Sequence, residues 1–137
     1  MQQDISFIKE VAIGAGKVIL KTRPTIRGEK EGGGNWVTEA DLASEQYILS
    51  QIHRKFPSHM ILSEETHATI QNPELQEDLW VVDPLDGTTN ARFGIPFFAV
   101  SIAYCQQGIV KAGAIYDPNR DELFWAERGR GAYLNDE

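Results

Sequence analysis

The sequence is poor in cysteine, in basic charge and in long apolar runs. Its one cysteine, Cys105, excludes an internal disulfide and makes a reducing cytoplasm the expected setting. The neighbours Ala103, Tyr104 and Gln106 suit a small, half-buried strand residue rather than a reactive thiol. Thirteen Lys and Arg face twenty Asp and Glu, a net charge of -7. Nucleic acid and anionic membranes both select a basic face, so neither is an expected partner. No apolar run approaches the ~18 residues of a membrane span. Met1 to Asp4 lacks the basic and apolar regions of a signal peptide. With 42% hydrophobic residues over 137 positions, the expectation is one soluble domain, residues 1–137, with a real core.

Hydrophobic spacing predicts two early helices. Ile5, Ile8, Val11, Ala12, Ala15, Val18 and Ile19 recur at helical intervals, with Asp4 able to cap the start and Arg23-Pro24 ending the run. Gly14 and Gly16 within it suggest close packing against a neighbour. A glycine-rich loop, Gly28 to Asn35, matches no phosphate-loop pattern. Thr38-Glu39-Ala40-Asp41 then opens a second helix, with Leu42, Leu49, Ile52 and Phe56 on one face and Pro57 at its stop.

The remainder reads as strands: Met60 to Leu62, Leu79 to Val82, Phe97 to Tyr104, Ile109 to Tyr116 and Glu122 to Ala126. Thr66 to Asp78 reads as a surface loop, and Gly129 to Leu134 as a bend into one more strand. Successive hairpins imply a mainly antiparallel sheet. The expected fold is α+β, a layered α/β sandwich half with two N-terminal helices packed on that sheet.

Acidic residues gather at element ends: Asp41, Glu64, Glu65, Asp83 and Asp86. If the strands before Glu64 and Asp83 are neighbours, their carboxylates converge at one edge. Like charges so close repel unless a cation lies between them. Carboxylates of this kind, with waters and substrate oxygens, suit Mg²⁺. Within Trp80-Val81-Val82-Asp83-Pro84-Leu85-Asp86-Gly87-Thr88-Thr89-Asn90, Pro84 stiffens the turn between the two aspartates. The Leu85 carbonyl adds a further oxygen. Gly87 permits a sharp bend, and Thr88-Thr89 begin a helical turn whose N–H groups can hold phosphate. Plainer readings stay open: Asp41 fits a capping box with Thr38, Glu64-Glu65 fits a solvated loop, and Asp-Pro-Leu-Asp-Gly fits an ordinary turn.

Glu64-Glu65 followed by the Trp80 to Asn90 stretch closely resembles the inositol monophosphatase family, lithium-sensitive Mg²⁺-dependent phosphatases. Val37 to Asp41, Phe97 to Ile102 and Gly113 to Pro118 are similar to family segments as well. The resemblance implies a first metal on Glu64, Asp83 and the Leu85 carbonyl, and a second on Asp83 and Asp86. Glu64 neighbours a third, weaker site. It pairs Thr88 with Asp41 to orient and deprotonate the attacking water, and offers the Gly87 and Thr88 N–H groups to phosphate. Lys30 matches a loop lysine near that water, and Glu65 a nearby acid. In-line attack of metal-activated water on phosphorus follows, without a phosphoenzyme. No histidine is required, and His53, His59 and His67 are expected to be solvated.

Family members are roughly twice as long, so the chain is expected to be an N-terminal half. A later Trp-Asp motif, which completes the second metal site in the family, is not among these residues. The expected function is hydrolysis of inositol monophosphate or a similar small phosphate ester, with a homodimer as the expected assembly. The alternatives are a catalytically inactive interaction module, or a related sugar-bisphosphate, 3′-nucleotide or NADP phosphatase.

Overall fold

The computed structural model describes residues 2–22, 26–29, 36–64 and 71–137. Lys30, Glu65 and His67, and most of the glycine-rich loop, lie outside the described residues.

Helix α1, Gln2–Lys21, buries Ile5, Ile8, Val11, Ala12, Ala15 and Ile19 along one stripe, as the spacing predicts. Its glycines are there for contact. A Cβ at Gly14 would lie 2.1 Å from the Tyr47 hydroxyl, and one at Gly16 2.5 Å from the Tyr116 ring. Both neighbours therefore approach the helix more closely than an alanine would allow.

Strands β1, Ile26–Glu29, and β2, Trp36–Thr38, pair antiparallel into a small sheet. The first two residues of the expected loop, Gly28 and Glu29, thus belong to a strand. Helix α2, Glu39–Lys55, starts on a complete capping box: Thr38 accepts from the Asp41 N–H, and the Asp41 carboxylate accepts from the Thr38 N–H. Its buried face is Ala40, Asp41, Ser44, Glu45, Ile48 and Ile52. The sequence reading chose Leu42, Leu49, Ile52 and Phe56. Counting apolar side chains misses polar ones whose burial is offset by hydrogen bonds.

The main sheet is ordered β3-β4-β5-β6-β7-β8. Strand β3, Met60–Ser63, runs parallel to β4, Asp78–Asp86. Strands β5, Ala99–Gln106, β6, Ile109–Asp117, β7, Glu122–Glu127, and β8, Gly131–Leu134, follow antiparallel. The α+β expectation holds, with a mixed, mostly antiparallel sheet and helices on one face. At the β5–β6 hairpin, Gln107 and Gly108 have φ of 51° and 75°, suiting a tight two-residue turn.

Two boundaries differ from expectation. Strand β4 begins at Asp78, whose carboxylate accepts from the Tyr104 hydroxyl, and it continues past Val82 to Asp86. Its pairing shifts between Asp83, opposite Ser101, and Asp86, opposite Ala99, so Pro84 and Leu85 together face Val100. Proline cannot donate to a ladder, and an irregularity of this kind is where a strand tolerates it. Strand β5 begins at Ala99 rather than Phe97, because the Phe97 carbonyl accepts from the Asn90 amide instead.

His59 is packed, not solvated. It stacks on Phe56 with centroids 4.7 Å apart, its Nδ1 accepts from Trp80 Nε1–H at 3.0 Å, and its Nε2 lies 3.6 Å from Asp78. His53 is exposed, as expected.

Val100, Ile102, Tyr104, Ala112, Ala114, Tyr116 and Leu123 pack into the core that includes α1 and α2 residues. The opposite face of the sheet is exposed. In register across it run Ser101, Ile115, Phe124 and Leu134. Beside them run Ala103, Gly113, Ala126 and Ala132. They line a broad groove of about 740 Å³. No helix among the described residues is long and apolar enough to cross a membrane.

Candidate active site

The site begins where β3 and β4 end. They run parallel with Ser63 opposite Val82, and the Glu64 N–H donates to the Val82 carbonyl at 3.3 Å. That register puts Glu64 beside Asp83. Asp83 is half-buried, and the Leu85 N–H donates to its Oδ1 at 3.3 Å. Its carboxyl is pushed up from the ordinary 3.8 to about 7. Burial is the main cause. A hydrogen bond with Glu64, the charge of Glu64 and the charge of Asp86 add to it, and the Leu85 N–H partly opposes them. Two carboxyls hydrogen-bond to each other only when one carries a proton. The raised carboxyl marks a place of negative potential.

Past Asp86 the chain bends at Gly87, whose φ is +94° and whose Cβ, were there one, would lie 3.0 Å from the Phe97 carbonyl. Glycine is the residue this geometry accepts. A short helix, α3, Thr88–Arg92, follows.

Thr88 reaches back to α2. Its hydroxyl donates to Asp41 Oδ1 at 2.8 Å, with the Leu85 carbonyl 3.2 Å away. Asp41 is fully buried, and its Oδ2 accepts from both the Thr38 N–H and the Thr38 hydroxyl. Asp41 is therefore a helix cap and a partner of Thr88 at once. One carboxylate oxygen serves each role.

The structure thus gathers Glu64, Asp83 and Asp86 at one sheet edge, with Leu85, Gly87, Thr88 and Asp41 behind them. Among the described residues, no group of three His, Cys, Asp or Glu side chains is placed to hold a metal ion by itself. The donor chemistry still fits Mg²⁺: the contributing atoms are hard carboxylate and carbonyl oxygens. A cation between these acids would relieve the repulsion that raises the Asp83 carboxyl.

Three site neighbours escaped the sequence reading: Ser44, Glu45 and Ser63. The Ser44 hydroxyl donates to the Pro84 carbonyl at 2.7 Å, and the Ser63 hydroxyl donates to Glu45 Oε2 at 2.6 Å. For Ser44 and Glu45 one cue lies in the spacing Asp41, Ser44, Glu45, which places three polar residues on one helical face.

Comparison with known proteins agrees with this architecture. All 137 residues match the inositol monophosphatase family. The inositol-1-monophosphatase of Mesorhizobium japonicum is 46% identical over 106 residues, covering 77% of this chain and 39% of that protein. The Nus factor SuhB of Haemophilus influenzae is 43% identical over 125 residues, covering 89% of this chain and 46% of that protein. The crystal structure of the extragenic suppressor protein suhB from Bartonella henselae superposes with a TM-score of 0.89 at 38% identity, covering 98% of this chain and 53% of that one. The chain spans about half the length of the curated relatives it matches. Matched from end to end in sequence and nearly so in structure, the chain belongs to the inositol monophosphatase family.

Proposed function

We propose that the chain carries the metal- and phosphate-binding part of a Mg²⁺-dependent phosphomonoesterase acting on inositol monophosphate or a similar small phosphate ester. The observation that carries this reading is the Glu64–Asp83 carboxyl pair beside Asp86, backed by the Asp41–Thr88 hydrogen bond. Glu64, Asp83, the Leu85 carbonyl and Asp86 would hold Mg²⁺. Bound there, the ion lowers the pKa of a water and neutralises charge on the phosphate. Thr88, fixed by Asp41, orients the attacking water and passes its proton toward the carboxylate. N–H groups at the start of α3 have no acceptor within their own helix, and those of Gly87 and Thr88 take phosphate oxygens. Lys30 and Glu65 are assigned supporting roles by family resemblance.

The relative named inositol-1-monophosphatase supports the substrate class. Sugar bisphosphates, 3′-nucleotides and NADP share the same phosphate chemistry and differ in the alcohol. We take the protein to be cytoplasmic, with residues 1–137 as a single domain, and to form a homodimer.

Titration of the chain with Mg²⁺ and Mn²⁺ tests the reading. Binding to the wild type, lost in Glu64→Gln and Asp83→Asn, supports it. Equal heats in all three proteins remove the metal assignment.

A further inference from the structure

Three consecutive contacts of one helix face reach three different parts of the site. Asp41, Ser44 and Glu45 are all buried on α2. Asp41 holds Thr88 in α3. Ser44 holds the carbonyl of Pro84, between Asp83 and Leu85. Glu45 holds Ser63, whose next residue is Glu64. Only the first of these contacts involves a residue that family resemblance assigns to catalysis.

Buried polar groups cost stability unless their hydrogen bonds are made. An apolar face would pack the helix against β3 and β4 without that demand. Ser44 is fully buried and Glu45 is 3% exposed, yet each points a polar atom at the backbone or side chain beside a proposed ligand. The Ser63–Glu45 contact is 2.6 Å, well within hydrogen-bond length. A capped helix of seventeen residues is stiff, so it sets the spacing of whatever it grips.

We propose that Ser44 and Glu45 are positioning residues, which act through Pro84 and Ser63 to fix the two ligand-bearing strand ends relative to each other. This rests on the metal reading above, and it adds residues which that reading does not contain. Partners one step removed from metal ligands typically change metal affinity by about 10- to 100-fold when lost.

The test uses the present chain in two measurements. Calorimetric titration with Mn²⁺ compares wild type, Ser44→Ala, Ser63→Ala and Ser63→Thr. Amide hydrogen exchange without metal follows the N–H groups of Glu64 and Leu85, with Ala114 in the centre of β6 as reference. The expected result is Mn²⁺ binding about 10- to 100-fold weaker in both alanine variants. Exchange should quicken at Leu85 in Ser44→Ala and at Glu64 in Ser63→Ala, with Ala114 unchanged. Ser63→Thr, which keeps the hydroxyl, should restore both properties at Glu64. Unchanged exchange at Glu64 and Leu85, or equal acceleration at Ala114, overturns the positioning role. Failure of the wild type to bind Mn²⁺ overturns the metal reading instead, and the exchange pattern then decides the anchoring by itself.

Discussion

Thr88 and Asp41 stand 47 residues apart in sequence and 2.8 Å apart in space, joined by the threonine hydroxyl. The other oxygen of the same carboxylate caps α2. Thr88→Ala would leave a buried carboxylate oxygen without its donor, which costs roughly 1–3 kcal/mol. Urea unfolding should report that loss, and Thr88→Ser should recover most of it. In a metal-loaded protein of full family length, the same substitution should lower kcat by about 10²- to 10⁴-fold with metal affinity nearly unchanged. An intact kcat would return Asp41 to the role of a cap alone.

Asp83 makes the metal-free chain sensitive to pH. Its carboxyl titrates near 3.8 when unfolded and near 7 when folded. Between those values the folded state holds a proton that the unfolded state has released. Stability therefore falls as pH rises from about 4 to about 7 and stays lower above that. Asp83→Asn should flatten this part of the curve and be the more stable protein at pH 8. Thermal melts across pH 5 to 8 measure it; parallel curves for the two proteins would show that Asp83 is not the group responsible.

Cation binding near pH 6 should also release a proton, because the ion and the proton compete for the same carboxyl pair. Calorimetry in two buffers of different ionisation enthalpy reads this directly. Identical apparent heats in both would mean that no proton leaves.

Gly16→Ala should destabilise the chain by roughly 1–3 kcal/mol, since its new methyl group would fall 2.5 Å from the buried Tyr116 ring. A chemical denaturation midpoint equal to that of wild type would mean that α1 shifts without cost.

The exposed sheet face should drive self-association of this chain. Ile115 and Phe124 are 48% and 44% exposed at the middle of a broad apolar groove. Ile115→Ser with Phe124→Ser should shift sedimentation toward monomer. A wild-type chain that sediments as a monomer at high concentration would count against the expectation.

Much of this fold can be read from sequence, because alternation and helical spacing report where apolar side chains go. Ile8 and Ile19 on α1, and Val100 and Ile102 on β5, are buried as their periods require. The motif from Asp83 to Thr88 is likewise legible, since proline and glycine carry backbone constraints in their own chemistry. Ser44, Glu45 and Ser63 were not. A buried polar residue looks like a surface one until its partner is known, and these partners are 18 to 40 residues away. His59 was misjudged for the same reason: its packing depends on Phe56, Trp80 and Tyr104 meeting in space.

Among the described residues, the pairing of β3 with β4 is the one parallel pair in the main sheet. Were β3 reversed, its four residues at about 3.3 Å each would carry Glu64 some 13 Å from Asp83. Chain direction alone thus converts two ordinary strand endings into a shared electrostatic problem. β3 is also an edge strand, paired on one side only among the described residues. Repulsion between the two acids works at the C-terminal end of that strand. A cation lodged there would act as a staple, fastening the rim of the sheet.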